Sequence, residues 1–283
     1  MNARVVFAAL CCAWGFWASS AQAEDLAQSS LQMAGQWTQG GVIVGQAMPG
    51  TAVWLDGKAL RLTDDGRFVL GLDRDAPASV ELKVQLPGAA PTILKQAVSP
   101  RDYQIQRIDG LPQNMVSPPA KVLQRIREDQ KLVAAARARD TDIDAFSEAF
   151  LWPCQGRISG VFGSQRILNG QPKQPHYGVD VAVPVGTKVY APAGGIVSLA
   201  HPDMYYTGAT LMIDHGHGLS SALLHLSKLL VSVGQEVKQG DLIALSGVSG
   251  RATGPHLDWR VNWFDARVDA ALLVPPMTSA QAQ

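Results

Sequence analysis

The sequence predicts a mainly β protein, with two antiparallel β modules joined by a short helix. Three observations carry this. Short Val- and Leu-rich runs, broken by Gly and by Asp-Gly pairs, recur on both sides of the chain's middle. One stretch alone, 117–140, has helical rather than alternating periodicity. The chain has 283 residues, 47% of them hydrophobic, which is enough for one large or two modest domains with a sizeable core.

Residues 1–23 read as a secretory signal peptide. Arg4 supplies the positive start, and VVFAALCCAWGFWA is an apolar core too short for a good membrane span. Ala21-Gln22-Ala23 is a small-x-small cleavage site. No other stretch is long and apolar enough to span, so no stable membrane span is expected after processing. Cys11 and Cys12 leave with the signal. Cys154 is then alone, so no internal disulfide can form, and it reads as a small buried apolar residue rather than a nucleophile.

Residues 24–115 form the first module. Its start, 24–40, is polar and is expected to be loosely ordered. In VELKVQL, Val80, Leu82, Val84 and Leu86 share one face, and Glu81, Lys83 and Gln85 share the other, the pattern of a half-buried strand. Asp56-Gly57 and Asp65-Gly66 separate further strand-like runs and suit hairpin turns. The reading is a small antiparallel β-sandwich. It contains no His and no ionisable cluster, so no chemistry is assigned to it.

Residues 116–145 form a helical linker. Ser117 can cap it, Pro118 suits its first turn, and Val122, Ile126 and Val133 fall on one face. A plain connecting helix packed on a neighbour is favoured over half of a coiled coil. Residues 146–275 return to strands: RISGVF, KVYAP, GIVSLA, ATLMID, SALLHL, DLIALSG and HLDWRVNW, with Gly-rich turns between them. Residues 276–283 read as a frayed tail.

The candidate chemistry is confined to this last module. All six histidines lie between 176 and 256. Lys and Arg balance Asp and Glu at 24 each, so nothing suggests affinity for nucleic acid. In the strand HLDWRVNW, His256, Asp258, Arg260 and Asn262 fall on one face, while Leu257, Trp259, Val261 and Trp263 face the core. Two ligand-type residues at i and i+2 can address one ion, although a wet outer face would look the same. In PHYGVDVAVP, His176 and Asp180 are four apart, but Pro175, Gly178 and Pro184 argue against a helix. A loop running into a strand can still bring an imidazole and a carboxylate to one point, and both are good zinc ligands.

HYGVD, VGTKVYAPAGGIV, IDHGHG, LLHLSKLLVSVGQEVKQGDLIALSG and TGPHLDW follow one another in the order seen in the lysostaphin/LytM-type zinc endopeptidases, which residues 154–263 resemble. The resemblance implies an antiparallel β-sheet groove and a peptidoglycan peptide as substrate. It implies zinc as cofactor, held by His176 and Asp180. The family's third ligand is the second His of a His-x-His, and here that position is Asp258. By the same resemblance His225 and His256 are the catalytic histidines. His256 would be general base, and His225 would bind the attacking water or the oxyanion. Arg260 would either orient a substrate carboxylate or sit in a salt bridge. His215 and His217, in DHGHG, have metal-like spacing, but Gly216 and Gly218 mark a tight turn and favour a structural role. His201 stands alone.

Aspartate reaches less far than histidine and adds a negative charge, so a neutral site with a weaker Lewis acid is expected. The expected function is an exported, periplasmic zinc endopeptidase acting on peptidoglycan cross-links or stem peptides. The alternative is a metal-free protein of the same fold that binds the wall or regulates a partner, a cell-wall hydrolase or a division protein. A lipoyl-like carrier is disfavoured, because Lys238 lacks the attachment context and the histidines would go unexplained. A zinc hydrolase acting on a non-wall peptide stays open.

Overall fold

The computed structural model describes residues 25–110 and 118–277. The expected signal peptide, the expected helix cap Ser117 and the last six residues lie outside them. Within these bounds the protein is mainly β with antiparallel sheets, as the alternating patterns require.

The first module has seven strands. They are β1 (Leu31–Gly35), β2 (Val42–Ala47), β3 (Ala52–Leu55), β4 (Lys58–Ala59), β5 (Arg67–Gly71), β6 (Ser79–Gln85) and β7 (Thr92–Ala97). They make one sheet ordered β1-β2-β5 and another ordered β4-β3-β6-β7. In β6, Val80, Leu82 and Val84 are buried while Glu81 and Gln85 are exposed, the alternation that the sequence shows. The expectation of loose order at 24–40 is overturned. Residues 25–29 form a helical turn, and β1 pairs with β2 in register from Leu31↔Ala47 to Gly35↔Ile43. Ala27 and Leu31 are buried in the core, and that burial offsets the polar character of their neighbours.

Strand β8 (Ile105–Ile108) leaves this module and pairs in parallel with β10 (Gln165–Leu168), which follows β9 (Arg157–Gly160). Its side chains are mostly exposed, so no alternation announces it. The linker opens with a 3-10 turn at Ala120–Val122 and continues as helix α1 (Leu123–Arg137). Buried Ile126 and Ala136 and half-buried Val133 face the sheet, and Ala136 and Val133 meet Met212, Ala222 and Leu224. The helix is therefore a connector packed on its own chain. After it, Arg61 pairs with Asp140, Arg67 with Asp144, and Arg139 with Asp214, which ties the linker to both modules.

The remaining strands are β11 (Gln171–Pro172), β12 (Val179–Ala182), β13 (Lys188–Tyr190), β14 (Gly195–Met204), β15 (Gly208–Gly216), β16 (Leu219–Leu229), β17 (Glu236–Val237), β18 (Leu242–Ser246), β19 (Leu257–Trp263) and β20 (Ala266–Val268). Their large sheet runs β17-β14-β15-β16-β19-β12-β9, with β13, β18 and β20 paired onto it. Leu257, Trp259, Val261 and Trp263 are buried, as the period of two in β19 requires. They join Phe68 and Leu70 of the first module in one continuous core. Gly71 makes the junction possible, since a Cβ there would stand 2.5 Å from the Trp263 Cβ. Cys154 is buried, and burial pushes its thiol to about 12, which removes the thiolate that nucleophilic chemistry would need. Met277 packs against the core and accepts a hydrogen bond from the Gly156 amide, so the chain is still docked two residues past Pro275.

Candidate metal centre

Antiparallel pairing of β12 with β19 builds the site. The register sets Asp180 directly opposite Asp258. The sequence placed Asp258 on a strand and Asp180 where a loop runs into one, and this pairing places them face to face. His176 enters from the loop before β12. Its backbone is fixed by the Ser164 carbonyl (2.8 Å) and the Gly163 amide (2.7 Å). Gly163 is gripped in turn by buried Arg74 of the first module, whose Nε and Nη2 donate to its carbonyl at 3.1 and 2.8 Å. The first module thus supports the loop that carries His176, although it offers no reactive group.

One ligand atom from each of His176, Asp180 and Asp258 lies within 4.8 Å of the others. His176 Nε2 and Asp180 Oδ1 are 3.2 Å apart. Both are buried, and apart from each other neither has a hydrogen-bond partner. Buried polar atoms are rarely left so, and a cation between an imidazole nitrogen and a carboxylate oxygen would satisfy both. Gly178, between them, has no room for a side chain, because a Cβ would collide with Asp258 Oδ1 and stand 2.7 Å from Arg260 Cγ. The sequence showed this glycine only as a helix breaker. Its role is the close approach of the loop to β19.

Asp258 is 2% exposed. Arg260 holds it, with Nε 3.0 Å from both carboxylate oxygens and Nη2 2.6 Å from Oδ2. Of the two roles the sequence left open for Arg260, the ion pair is the one the structure shows. Burial works to raise the Asp258 carboxyl, but the charge of Arg260 overcomes it and holds the group below the ordinary carboxylate range. For His176, burial opposes protonation, while Asp180 and the charge of Asp258 outweigh it and raise the imidazole.

His225 and His256 stand beside this cluster, with ring centroids 4.8 Å apart. His256 Nε2 is 3.7 Å from Asp180 Oδ1. His256 Nδ1 meets the Gly254 carbonyl at 2.8 Å, and His225 Nδ1 meets that of Ser249 at 2.8 Å. A carbonyl only accepts, so each Nδ1 carries the hydrogen, and in the neutral ring the lone pair is on Nε2. Burial lowers the pKa of His225 and keeps the ring neutral. His225 also adopts a φ of 60°, a left-handed conformation uncommon for a residue with a side chain, within the β16 strand.

His215 and His217 are elsewhere. His215 is wholly buried, between the Gly194 carbonyl (2.6 Å) and Ser221 Oγ (2.8 Å), and edge-on to Phe150. His217 meets the Arg61 carbonyl and packs on Phe146. Burial drives His215 down to about 4. Its folded pKa therefore lies below its unfolded one near 6.5. As pH falls through that window the unfolded chain gains a proton that the folded chain refuses. Stability should be complete above about pH 6.5, fall by about 3 kcal/mol toward pH 4, and change no further from this group. Urea unfolding of wild type and His215→Gln at about pH 7 and 4.5 checks this, since the loss of stability between the two pH values should be smaller by about 3 kcal/mol in the variant. His201 Nδ1 only accepts from the Asp203 amide.

An imidazole and two carboxylates converging on one point, with two free imidazole nitrogens alongside, form a site of the metal-dependent hydrolase kind. Residues 174–270 match Peptidase family M23. A crystal structure of a putative peptidase M23 from Pseudomonas aeruginosa is 30% identical, covers 84% of this chain and 95% of that one, and superposes with a TM-score of 0.65. This chain belongs to peptidase family M23. Over 136 residues it is 41% identical to the peptidoglycan DD-endopeptidase ShyA of Vibrio cholerae serotype O1, covering 44% of this chain and 31% of ShyA. With ShyB of the same organism the figures are 46% over 98 residues, 34% of this chain and 22% of ShyB. The chain thus spans less than a third of the length of these two relatives.

Proposed function

We propose that the protein is an exported zinc endopeptidase that hydrolyses peptide bonds in peptidoglycan cross-links or stem peptides. The observation that carries this reading is the convergence of two buried atoms, His176 Nε2 and Asp180 Oδ1, 3.2 Å apart and with no partner but each other, on Asp258. Relatives similar to this chain in sequence are named as peptidoglycan endopeptidases, which supports the substrate class. In this reading residues 1–23 are the signal peptide, 24–115 the β-sandwich module, 116–145 the linker and 146–275 the peptidase domain. In this reading the signal exports the chain, and a peptidoglycan substrate makes the periplasm its compartment. Among the described residues no helix is long and apolar enough to cross a membrane.

His176, Asp180 and Asp258 would hold the zinc, which when bound polarises the scissile carbonyl and acidifies water. The chain's own groups do the rest. His256, with its Nδ1 hydrogen committed to Gly254, takes a proton from the attacking water at Nε2 and returns it to the leaving amine. His225 orients the water through its free Nε2 and can stabilise an oxyanion only once that nitrogen gains a proton.

One observation favours the second reading, a metal-free wall-binding or hydrolase-regulating protein. Asp258 already has a cation in Arg260. Zinc content separates the two. Metal-replete wild-type protein is expected to hold about one zinc per chain by elemental analysis, and His176→Ala to hold none. A folded wild type without zinc would leave only the metal-free reading.

A further inference from the structure

We propose that Asp258 and Arg260 act as one neutral ligating unit, in which Arg260 is a positioning residue that balances the carboxylate and aims one of its oxygens at the metal. The proposal rests on the reading of His176, Asp180 and Asp258 as ligands.

The need for such a unit comes from the register. Asp180 and Asp258 are direct cross-strand partners, and like charges opposed in this way destabilise a sheet. Asp258 is also almost wholly enclosed. A carboxylate there must have a cation in every state of the protein, whether or not a metal is bound. Arg260, two residues along the same strand face, is that cation, and its guanidinium cannot release its proton.

The hydrogen bonds also divide the two oxygens. Oδ2 receives Nε and Nη2, while Oδ1 receives Nε alone. Nε carries one hydrogen, shared between the two oxygens, whereas Nη2 gives a second hydrogen to Oδ2 alone, so Oδ1 is the less committed of the two acceptors. Oδ1 is also the atom against Gly178, on the loop between His176 and Asp180. The less committed oxygen is therefore the one nearest the segment that bears the other two ligands. Arg260 engages the far oxygen more than the near one and leaves the near side the more available, as hydrogen-bonded outer partners of metal ligands do elsewhere.

The charge count completes the argument. A divalent metal with one neutral imidazole and two carboxylates is formally neutral. Arg260 adds one positive charge, giving the total of a site built from two neutral imidazoles and one carboxylate. Asp258 paired with Arg260 is thus the electrostatic equal of a neutral histidine. The loss of Lewis acidity expected from aspartate alone is offset within the same strand.

The test compares the full-length wild type, Arg260→Gln, Asp258→His and the double variant Asp258→His with Arg260→Gln. The readouts are zinc affinity by chelator competition and melting temperature with and without zinc. Metal-free Arg260→Gln should melt several degrees below wild type, and zinc should raise its melting temperature by more than it raises that of wild type. Asp258→His alone leaves a guanidinium uncompensated beside the metal and should bind zinc at least roughly tenfold more weakly than the double variant. The two substitutions must then be strongly non-additive. Additive effects on affinity, or an unchanged zinc-induced shift in Arg260→Gln, would overturn the unit while leaving the zinc reading intact. Absence of zinc from folded wild type would overturn both. If Arg260→Gln does not fold, the comparison of Asp258→His with the double variant decides the matter.

Discussion

His225→Asn is expected to keep its zinc and to lose roughly 10²- to 10³-fold in turnover, the usual cost of removing a group that stabilises the oxyanion. The choice of replacement matters. His225 sits at a φ of 60°, where alanine is strained and asparagine is not. His225→Ala should therefore lose activity and about 1 kcal/mol of stability together, whereas His225→Asn separates the two. The amide cannot take up a proton, so the role assigned to Nε2 disappears while the backbone stays in place. Release of muropeptides from isolated peptidoglycan, measured beside zinc content, checks this. Wild-type turnover in His225→Asn would remove His225 from the mechanism. Loss of zinc would make it part of the ligand set.

Most of the fold can be read along the chain because it is written in local alternation. Val80, Leu82 and Val84 are buried as their spacing demands, and so are Leu257, Trp259 and Val261. Two pieces could not be read in this way. Strand β1 lies in a polar stretch, and its place depends on pairing with β2 and on the burial of Leu31. Strand β8 joins β10 across nearly sixty residues with its side chains in solvent, so its existence is a backbone fact without a side-chain signature.

The candidate site divides along the same line. His176 and Asp180 could be paired from sequence only as a weak spacing, and His256 with Asp258 only as a shared strand face. What unites the two pairs is the Asp180↔Asp258 register, a tertiary relation that no window of sequence contains. The tautomers of His225 and His256 depend on the carbonyls of Ser249 and Gly254, which belong to the loop between β18 and β19. Arg260 was visible on the correct face of β19, but its choice between Asp258 and a substrate is a matter of rotamer and burial. Arg74 had no signal at all. Its contact with Gly163 links residues 89 apart in the chain.

Asp258→Ala is expected to abolish stoichiometric zinc while leaving the fold intact. Zinc binding in small structural sites is worth about 10–16 kcal/mol over four ligands, or roughly 3 kcal/mol for each. Removing one ligand of three should then weaken binding by more than about a hundredfold. Stability should respond less than the loss of a buried ion pair would suggest. Breaking such a pair costs about 3–5 kcal/mol when it strands a buried charge. Here the residue removed is the enclosed partner, and the one left behind, Arg260, has 28% of its side chain exposed and can turn toward water. The like-charge opposition with Asp180 is relieved at the same time. These effects oppose one another, and a net change below about 2 kcal/mol is expected, well short of the full cost of a stranded charge. Zinc titration followed by chelator competition, with urea unfolding of the metal-free protein, measures both quantities on one sample. Zinc retained at wild-type affinity would take Asp258 out of the ligand set and leave its carboxylate as a partner for Arg260 alone. Zinc lost with the fold preserved would make Asp258 the third ligand, with the aspartate serving where a histidine would otherwise stand.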